Sequence, residues 1–304
     1  MIDAIEKYFS ELRDEDKSEK TIASYRTALK KFIEWFDNEN NNTDIRKVTP
    51  MDIKFYKVYL EKLKRKPGTI NKQLIILKSF FQWAVENDFI NASPARKIKL
   101  VEKQQLAPKW LEKNNQSGLL REIERAENKY TNGDNTFKTR RDKAIFSLML
   151  KSGLRVEEVV KLEMDDVVIN ARSGKVVVRH GKRNKYREVP INNDVRIALR
   201  EYFEKRKDHK YSYSPFLFIS ERGINLTTRA IQYLLKTYAE KINLGNITCH
   251  QLRHSCLHSL VEAGVGLEKV KDIAGHKSLN STMIYTVPGE KELQDAVELI
   301  SESE

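Results

Sequence analysis

The chain has 304 residues, 32% of them charged, with a formal net charge of +12 and a pI near 9.4. That length fits two domains with separate cores, and the charge argues for a polyanionic partner whose phosphates attract Lys and Arg side chains. The sequence predicts a cytoplasmic protein for three reasons. Two cysteines are too few to hold a secreted fold together by disulfides, no apolar run is as long as a membrane span, and the N-terminus has no apolar signal core.

The first third of the chain has the pattern of a small helical bundle. Apolar residues recur at helical spacing over 19–37. Thr49 followed by Pro50 is typical of a helix N-terminus and predicts a helix from 50 to about 65. A third helix is predicted over 68–88. Its apolar positions are Ile70, Leu74, Leu77 and Phe81.

A basic run lies inside this bundle. Residues 54–78 contain eight Lys or Arg residues and the single acid Glu61. Such a run is often only a solvated helix face, but it suits contact with a nucleic-acid backbone if the chain also handles phosphodiesters. The lysines that we expect to make these contacts are Lys54, Lys57, Lys64 and Lys66.

The middle of the chain indicates a domain boundary. Residues 91–108 contain Pro and charge without a helical period, which is typical of a linker between domains. The predicted division is a helical domain over 1–100, a linker over 101–108, a second domain over 109–288 and a C-terminal helix over 289–304. The apolar stripe of that last helix suits contact with another protomer or with its own domain. The stripe consists of Leu293, Ala296, Val297 and Ile300.

The second domain alternates between helical and β patterns. Helices are predicted first, and then the period changes to short β segments separated by turns. The predicted helices cover 114–130, 137–153 and 156–163. The predicted strands cover 167–170, 175–179 and 187–190. After a short apolar segment at 215–220 the remainder reads as helical.

One set of side chains in this domain suits attack on a phosphodiester. Guanidinium groups bind non-bridging phosphate oxygens through two parallel hydrogen bonds, His donates or accepts near neutral pH, and Tyr can be a covalent nucleophile. The motifs are S-G-L-R-V-E-E-V, H-G-K-R-N-K, H-Q-L-R-H, A-G-H and S-T-M-I-Y. The candidate residues are Arg155, Lys182, His250, Arg253, His276 and Tyr285.

The order of these motifs resembles the tyrosine recombinases, the integrase and Xer-type family. The resemblance rests on G-L-R-x-x-E around Arg155, H-x-x-R at 250–253, and a Gly-His pair followed nine residues later by Tyr285. Residues upstream of about 100 are similar to the family's core-binding domain. Cys256 departs from the pattern, since Phe is frequent there, but the position is one of packing.

The resemblance implies both a fold and a function. The expected fold is mainly α with a small antiparallel β-sheet, in which a helical, SAM-like core-binding domain and a catalytic domain form a C-shaped clamp on DNA. The expected function is site-specific recombination, in which DNA strands are cleaved and rejoined through a 3′-phosphotyrosyl intermediate by a homo-tetramer on double-stranded sites. No cofactor, metal or membrane is expected. Because the core-binding helices start near residue 1, a simple recombinase or resolvase is favoured over an arm-binding integrase.

The resemblance also implies residue roles. Tyr285 is the nucleophile, and Arg155 and Arg253 bind the scissile phosphate. His250 acts as an acid, base or donor near the nucleophile and His276 as a donor to the phosphate, although the sequence does not apportion these two roles.

Two further roles concern residues around the turns. Taken alone, a lysine in a turn is usually just exposed. The family's catalytic lysine, however, lies in the turn between the second and third strands, which points to Lys182 as the acid that protonates the leaving 5′ oxygen. Lys185 is the close rival. Glu158 is expected to hold the Arg155 guanidinium through an ion pair, unless it is an ordinary surface residue.

Other interpretations use the same residues. His250, His254 and His258 lie at one-turn intervals, as a zinc stripe would, but Gln251 stands where a zinc protease has its glutamate, and Arg253 would repel a dication. We therefore expect His254 and His258 to be packing or capping residues. Two alternative functions remain, a type IB topoisomerase-like relaxation of DNA and a catalytically silent DNA-binding protein.

Overall fold

The computed structural model describes residues 1–102, 109–128, 134–179, 186–288, 293–294 and 297–298. The chain divides into two compact units, Met1–Gln105 and Leu106–Glu304, each with a hydrophobic core of its own. No helix within the described ranges is both long and apolar enough to cross a membrane. Lys182, Lys185 and most of the segment 289–304 lie outside the described residues.

The N-terminal unit is a helical bundle. Its helices are α1 (Ile2–Asp14), α2 (Glu19–Asn40), α3 (Pro50–Lys62) and α4 (Pro67–Glu86), with a 3₁₀ turn at Ile45–Lys47. Helix α3 begins where the sequence predicts it, because the Thr49 hydroxyl accepts the Asp52 amide at 3.3 Å while the Asp52 carboxylate accepts the Thr49 amide at 2.8 Å.

Aromatic side chains fill the core of this unit. Phe32 of α2 packs edge-on against Tyr56 of α3 and Phe81 of α4, with ring centroids 5.1 and 6.0 Å apart. The predicted core positions Ile70, Leu74, Leu77 and Phe81 are all buried. Burying such side chains stabilises the bundle by about 1.5–3 kcal/mol each.

The chain that follows α4 packs against the bundle rather than leaving it directly. Ala95 is fully buried in the core of this unit. Asn71 exchanges two hydrogen bonds with the backbone of Val101, both 2.8 Å long. Residues 91–101, which have no helical period in the sequence, are therefore held by side chains of α4.

The C-terminal unit is mainly helical. Its first helices are α5 (Lys113–Asn128), α6 (Asp134–Ser152) and α7 (Val156–Val159), followed by a 3₁₀ turn at Met164–Asp166. Its later helices are α8 (Asn193–Lys207), α9 (Thr228–Lys241), α10 (Cys249–Glu262), α11 (Leu267–Ala274) and α12 (Asn280–Met283), which leads into a 3₁₀ turn at Ile284–Thr286.

A three-stranded antiparallel sheet follows α7. The strands β1 (Val167–Ile169), β2 (Gly174–Val178) and β3 (Arg187–Pro190) lie in the order β1-β2-β3. Val176 pairs with Val167 on one side and Val189 on the other, and Val176 and Val189 are fully buried. The predicted fold class, mainly α with a small antiparallel sheet, is confirmed.

Helix α6 lies at the centre of this unit. Ala144, Ile145, Phe146, Leu148 and Met149 have no exposed surface, although they point to different sides of the helix. The second half of α6 is therefore covered by its neighbours on every side. Its C-terminal end therefore has a fixed position, and the first candidate site residue follows it by three positions.

Candidate active site

Arg155 is placed by the turn that ends α6. Gly153 has a φ of +62°, the left-handed conformation that commonly terminates a helix and that side chains disfavour. The Arg155 amide then donates to Glu158 Oε2 at 2.9 Å, and its Nη1 donates to Glu158 Oε1 at 3.0 Å. The Arg155 side chain remains 38% exposed, so part of its guanidinium group faces solvent.

Glu158 also binds a second arginine. Arg187, the first residue of β3, donates from Nη1 to Oε1 at 3.0 Å and from Nη2 to Oε2 at 2.8 Å. Burial by itself raises the pKa of Glu158, but the hydrogen bonds and charges of Arg187 and Arg155 outweigh it and lower that pKa below its usual range. Glu158 is therefore an ionised, buried carboxylate between two guanidinium groups.

Arg253 lies in the first turns of α10, which begins after Thr248. The Thr248 hydroxyl accepts the Gln251 amide at 3.2 Å, a capping arrangement that is typical of a helix N-terminus. Arg253 is 1% exposed and donates to the Gly153 carbonyl at 2.5 Å and the Ala274 carbonyl at 2.7 Å. Burial, and then the charge of Arg155, lower the pKa of Arg253 to about 10, so it stays a cation at neutral pH.

His276 completes a chain of hydrogen bonds from Arg253. Arg253 Nη2 lies 2.9 Å from His276 Nε2, and His276 Nδ1 lies 2.9 Å from the Thr282 hydroxyl. A guanidinium group can only donate, so Nε2 accepts and the neutral ring carries its proton on Nδ1. Burial, followed by the charges of Arg253 and Arg155, lowers the pKa of His276 to about 4. In this state Nε2 is therefore an acceptor.

Tyr285 lies beside His276 and beside His254 of α10. Its ring is nearly parallel to that of His276, at 10° and 6.3 Å between centroids. Its hydroxyl lies 2.8 Å from His254 Nδ1, and the whole residue is 2% exposed. Burial raises the pKa of Tyr285, although the charges of Arg253 and Arg155 act in the opposite direction.

His250 is the exposed member of the group. It lies one turn before His254 on α10, and the two rings meet edge to face at 4.2 Å between centroids. Burial and then the charges of Arg253 and Arg155 lower the pKa of His250. The fold therefore brings His250 to the same group of charges as Arg155 and Arg253.

The structure thus brings together most of the candidate residues but not all. Arg155, Glu158, His250, Arg253, His276 and Tyr285 form one cluster in the C-terminal unit. The candidate DNA contacts lie in the N-terminal unit, where Lys54, Lys64 and Lys66 are exposed and Lys57 donates to the Lys99 carbonyl at 3.2 Å. The cluster is assembled from α7, α10, and the segment between α11 and the last 3₁₀ turn.

Three residues of the cluster are not among the candidate site residues predicted from the sequence, and the expectation that His254 is only a packing or capping residue was wrong. Arg187, His254 and Thr282 contact Glu158, Tyr285 and His276 respectively. His254 is adjacent to Arg253, so its position one turn after His250 was a signal that it faces the same side. Arg187 gives no local signal, because it meets Glu158 only through the pairing of β2 and β3.

His250, His254 and His258 of α10 do not converge on a common point as metal ligands would. His254 contacts Tyr285, whereas His258 stacks on Trp110 with 3.7 Å between ring centroids. Within the described part of the chain, no group of three or more His, Cys, Asp or Glu side chains is placed to hold a metal ion.

Comparison with known proteins agrees with this arrangement. Residues 109–292 match the model of the phage integrase family, and residues 5–88 match its N-terminal SAM-like domain. The chain is 31% identical over 291 residues to tyrosine recombinase XerC of Roseiflexus sp. (strain RS-1), an alignment that covers 94% of this chain and 89% of that protein. It is 26% identical over 303 residues to TnP I resolvase of Bacillus thuringiensis, covering 98% and 100% of the two chains.

A solved structure shares the fold. The crystal structure of XerH site-specific recombinase bound to palindromic difH substrate, a post-cleavage complex, superposes with a TM-score of 0.78 at 22% identity. That superposition covers 98% of this chain and 84% of the other. The chain belongs to the phage integrase family of tyrosine recombinases, and its class of activity is site-specific DNA recombination.

Proposed function

We propose that the chain cleaves and rejoins DNA with Tyr285 as the nucleophile. The observation that carries this proposal is the place of Tyr285, whose ring lies parallel to His276 and whose hydroxyl bonds to His254 in a cluster with two arginines. When its oxygen attacks phosphorus, the P–O5′ bond breaks and a 3′-phosphotyrosyl bond replaces it. One phosphate ester replaces another, so rejoining needs no nucleotide.

Arg155 and Arg253 bind the non-bridging oxygens of the scissile phosphate in this proposal. Charge on those oxygens grows as the pentacovalent species forms, and prearranged donors stabilise it, each by about 10²–10³ in rate. Glu158 acts through Arg155, which it orients from the buried side. The partly exposed face of the Arg155 guanidinium supports this assignment.

His276 becomes a donor to the phosphate once DNA is bound. In the free protein its Nε2 accepts from Arg253. An anionic phosphate beside the ring raises the pKa of His276, and the protonated ring then donates from both nitrogens. His250 contributes at the exposed edge of the same site, and Lys182, which lies between β2 and β3 in the sequence, protonates the leaving 5′ oxygen.

DNA contact and assembly complete the proposal. Lys54, Lys57, Lys64 and Lys66 contact the phosphate backbone of double-stranded DNA. Exchange of both strands between two duplexes breaks a phosphodiester in each strand, and each chain supplies a single Tyr285, so a homo-tetramer acts on the two recombining sites. The last segment, 289–304, contacts a neighbouring protomer.

The proposed division of labour follows the two units. Residues 1–100 bind DNA, 109–288 carry the chemistry, and 101–108 join them. We also place the protein in the cytoplasm, since Cys249 and Cys256 are buried free thiols of the kind that a reducing compartment preserves.

A covalent selection tests the function and finds the DNA site together. A library of duplexes with a randomised central segment is incubated with the protein and quenched in detergent, and the DNA bound to protein is sequenced. We expect one recurring sequence with wild type and none with Tyr285→Phe. Two copies of that sequence on a plasmid should then recombine. Relaxation of plasmids that lack the sequence would instead identify a topoisomerase, and absence of any adduct would identify a DNA-binding protein.

A further inference from the structure

The Tyr285 hydroxyl has a histidine partner, and it is not the histidine of the H-x-x-R motif. His254 Nδ1 lies 2.8 Å from Tyr285 Oη, and the two rings are inclined at 51°. His250 meets this pair through its ring contact with His254. The side chain positioned to exchange a proton with the nucleophile is therefore His254.

The charge states of the two groups fix the direction of this hydrogen bond. Burial, then His250 and Arg253, lower the pKa of His254 to about 4, so the ring is neutral at pH 7. Burial raises the pKa of Tyr285, so the phenol keeps its proton. The protonated hydroxyl donates and the unprotonated Nδ1 accepts, which places the ring proton of His254 on Nε2.

We propose that His254 is the catalytic base that accepts the Tyr285 proton during strand cleavage, which rests on the proposed function of Tyr285 as nucleophile. As the Oη–P bond forms, the phenolic proton moves to Nδ1 and the ring becomes a cation. The P–O5′ bond breaks and its electron pair goes to the 5′ oxygen, which takes a proton from the acid of the site. In rejoining, the 5′ hydroxyl attacks phosphorus and His254 returns its proton to the departing tyrosine oxygen.

The charges around His254 make this base responsive to DNA. In the free protein Arg253 and His250 disfavour the protonated ring, and His276 lies close enough for its own pKa to feel His254. A bound phosphate brings negative charge to this group of cations, which raises the pKa of His254 toward the operating pH. His254 therefore becomes a base matched to the operating pH when DNA is bound, whereas in the free protein the Tyr285 phenol keeps its proton.

The test compares two identical substitutions on one helix. His254→Asn keeps an amide oxygen close to the position of Nδ1, so it still accepts a hydrogen bond but cannot become a cation. His258→Asn is the matched control, because His258 lies one turn further along α10 and stacks on Trp110. Thermal melting checks that both variants fold. His254→Gln, with a longer amide side chain, replaces the first variant if it does not fold.

The readout is the single-turnover rate of adduct formation on the duplex that wild type selects, nicked beside the cleavage point so that the adduct accumulates. General-base catalysis is worth about 10²–10⁴ in rate, so His254→Asn should lose at least a hundredfold at pH 7 while the control stays near wild type. The defect should shrink steadily above pH 8, because hydroxide from the solution then removes the Tyr285 proton and a protein base is no longer needed. A difluorotyrosine at position 285, which ionises more readily, should rescue the variant at pH 7.

Other results would overturn the inference. A rate defect equal at every pH, or one that difluorotyrosine leaves unchanged, would make His254 a packing residue. A wild-type rate in His254→Asn would exclude it as the base. In each of these cases wild type still forms the adduct with Tyr285, whereas failure of the proposed function would leave no adduct in any of the proteins.

Discussion

Arg187 and Glu158 form a bidentate ion pair that joins β3 to the short helix after Arg155, with N···O distances of 3.0 and 2.8 Å. The Arg187 Nε also donates to the Ile273 carbonyl at 3.2 Å, just before the Gly-His pair. A Cβ atom on Gly275 would lie 3.0 Å from this guanidinium. Arg187 therefore connects the elements that carry Arg155 and His276.

Replacing Arg187 should impair catalysis without removing a group that touches DNA. Arg187→Gln leaves Glu158 with Arg155 as its charged partner, and we expect about 1–3 kcal/mol of lost stability. Since a displacement of about 1 Å costs up to 10²-fold in rate, adduct formation should fall by about 10–10²-fold with little change in DNA affinity. Arg179→Gln is the control, because Arg179 pairs with Asp166 instead. Equal losses in both variants would contradict a specific positioning role.

Acid should weaken the free protein through its neutral histidines. His254 and His276 have pKa values near 4 when folded against an ordinary value of 6.5, so the unfolded state binds protons first as the pH falls. Their contribution is fully present above pH 6.5 and is lost between 6.5 and 4. Urea unfolding from pH 7.5 to 5 should show a smaller loss of stability in the double variant His254→Asn/His276→Asn than in wild type. Parallel losses would show that other groups set this dependence.

Features of this protein that are set by neighbouring residues could be predicted from the sequence, whereas those set by tertiary packing could not. The start of α3 at Pro50, the start of α10 after Thr248 and the three strands follow from local signals, namely caps, proline and alternation. Arg155 and Glu158 are three residues apart, so their ion pair could also be predicted from the sequence. The spacing of His254 from His250 places it on the side of α10 that carries the site, but its contact with Tyr285 depends on how distant segments pack. The contact of Arg187 with Glu158 depends on such packing as well, and no local spacing indicates it.

The segment that follows the helices of the first unit also makes tertiary contacts that its sequence pattern does not indicate. Residues 91–101 lack any helical period, which suggests a linker. Ala95 is nevertheless buried, and Val101 is bound on both backbone atoms by Asn71. An irregular segment can pack against a core without a repeating pattern, because single side chains and backbone groups make the contacts.

The basic run should contribute affinity without sequence choice. Changing Lys54, Lys57, Lys64 and Lys66 to Ala should weaken binding to selected and unrelated duplexes alike, because phosphate contacts do not read bases. Each lost contact should lower the slope of log affinity against log salt by about 0.9. The control changes four other lysines to Ala, so that the same charge is lost elsewhere in the unit. These lysines are Lys17, Lys30, Lys31 and Lys47. A slope unchanged relative to wild type would make the run a solvated helix face.

The identity of the general acid can be tested by changing the leaving group. Lys182→Ala should cleave ordinary DNA poorly, because the 5′ oxygen leaves without a proton. A bridging 5′ sulphur is a far weaker base and hardly needs protonation, so this substrate should restore cleavage by the variant. Arg155→Ala should not recover, since its phosphate contact stays lost. Rescue of Lys185→Ala but not of Lys182→Ala would move the role to Lys185.

The central claim is that Tyr285 becomes joined to DNA, and peptide mapping of the covalent adduct tests it most directly. Trypsin cleavage after Lys277 and Lys291 yields a peptide, 278–291, in which Tyr285 is the single tyrosine. After nuclease treatment of the adduct, fragmentation in the mass spectrometer should place the residual nucleotide, linked through its 3′ phosphate, on Tyr285. A nucleotide on another residue, or linkage through a 5′ phosphate, would contradict the account.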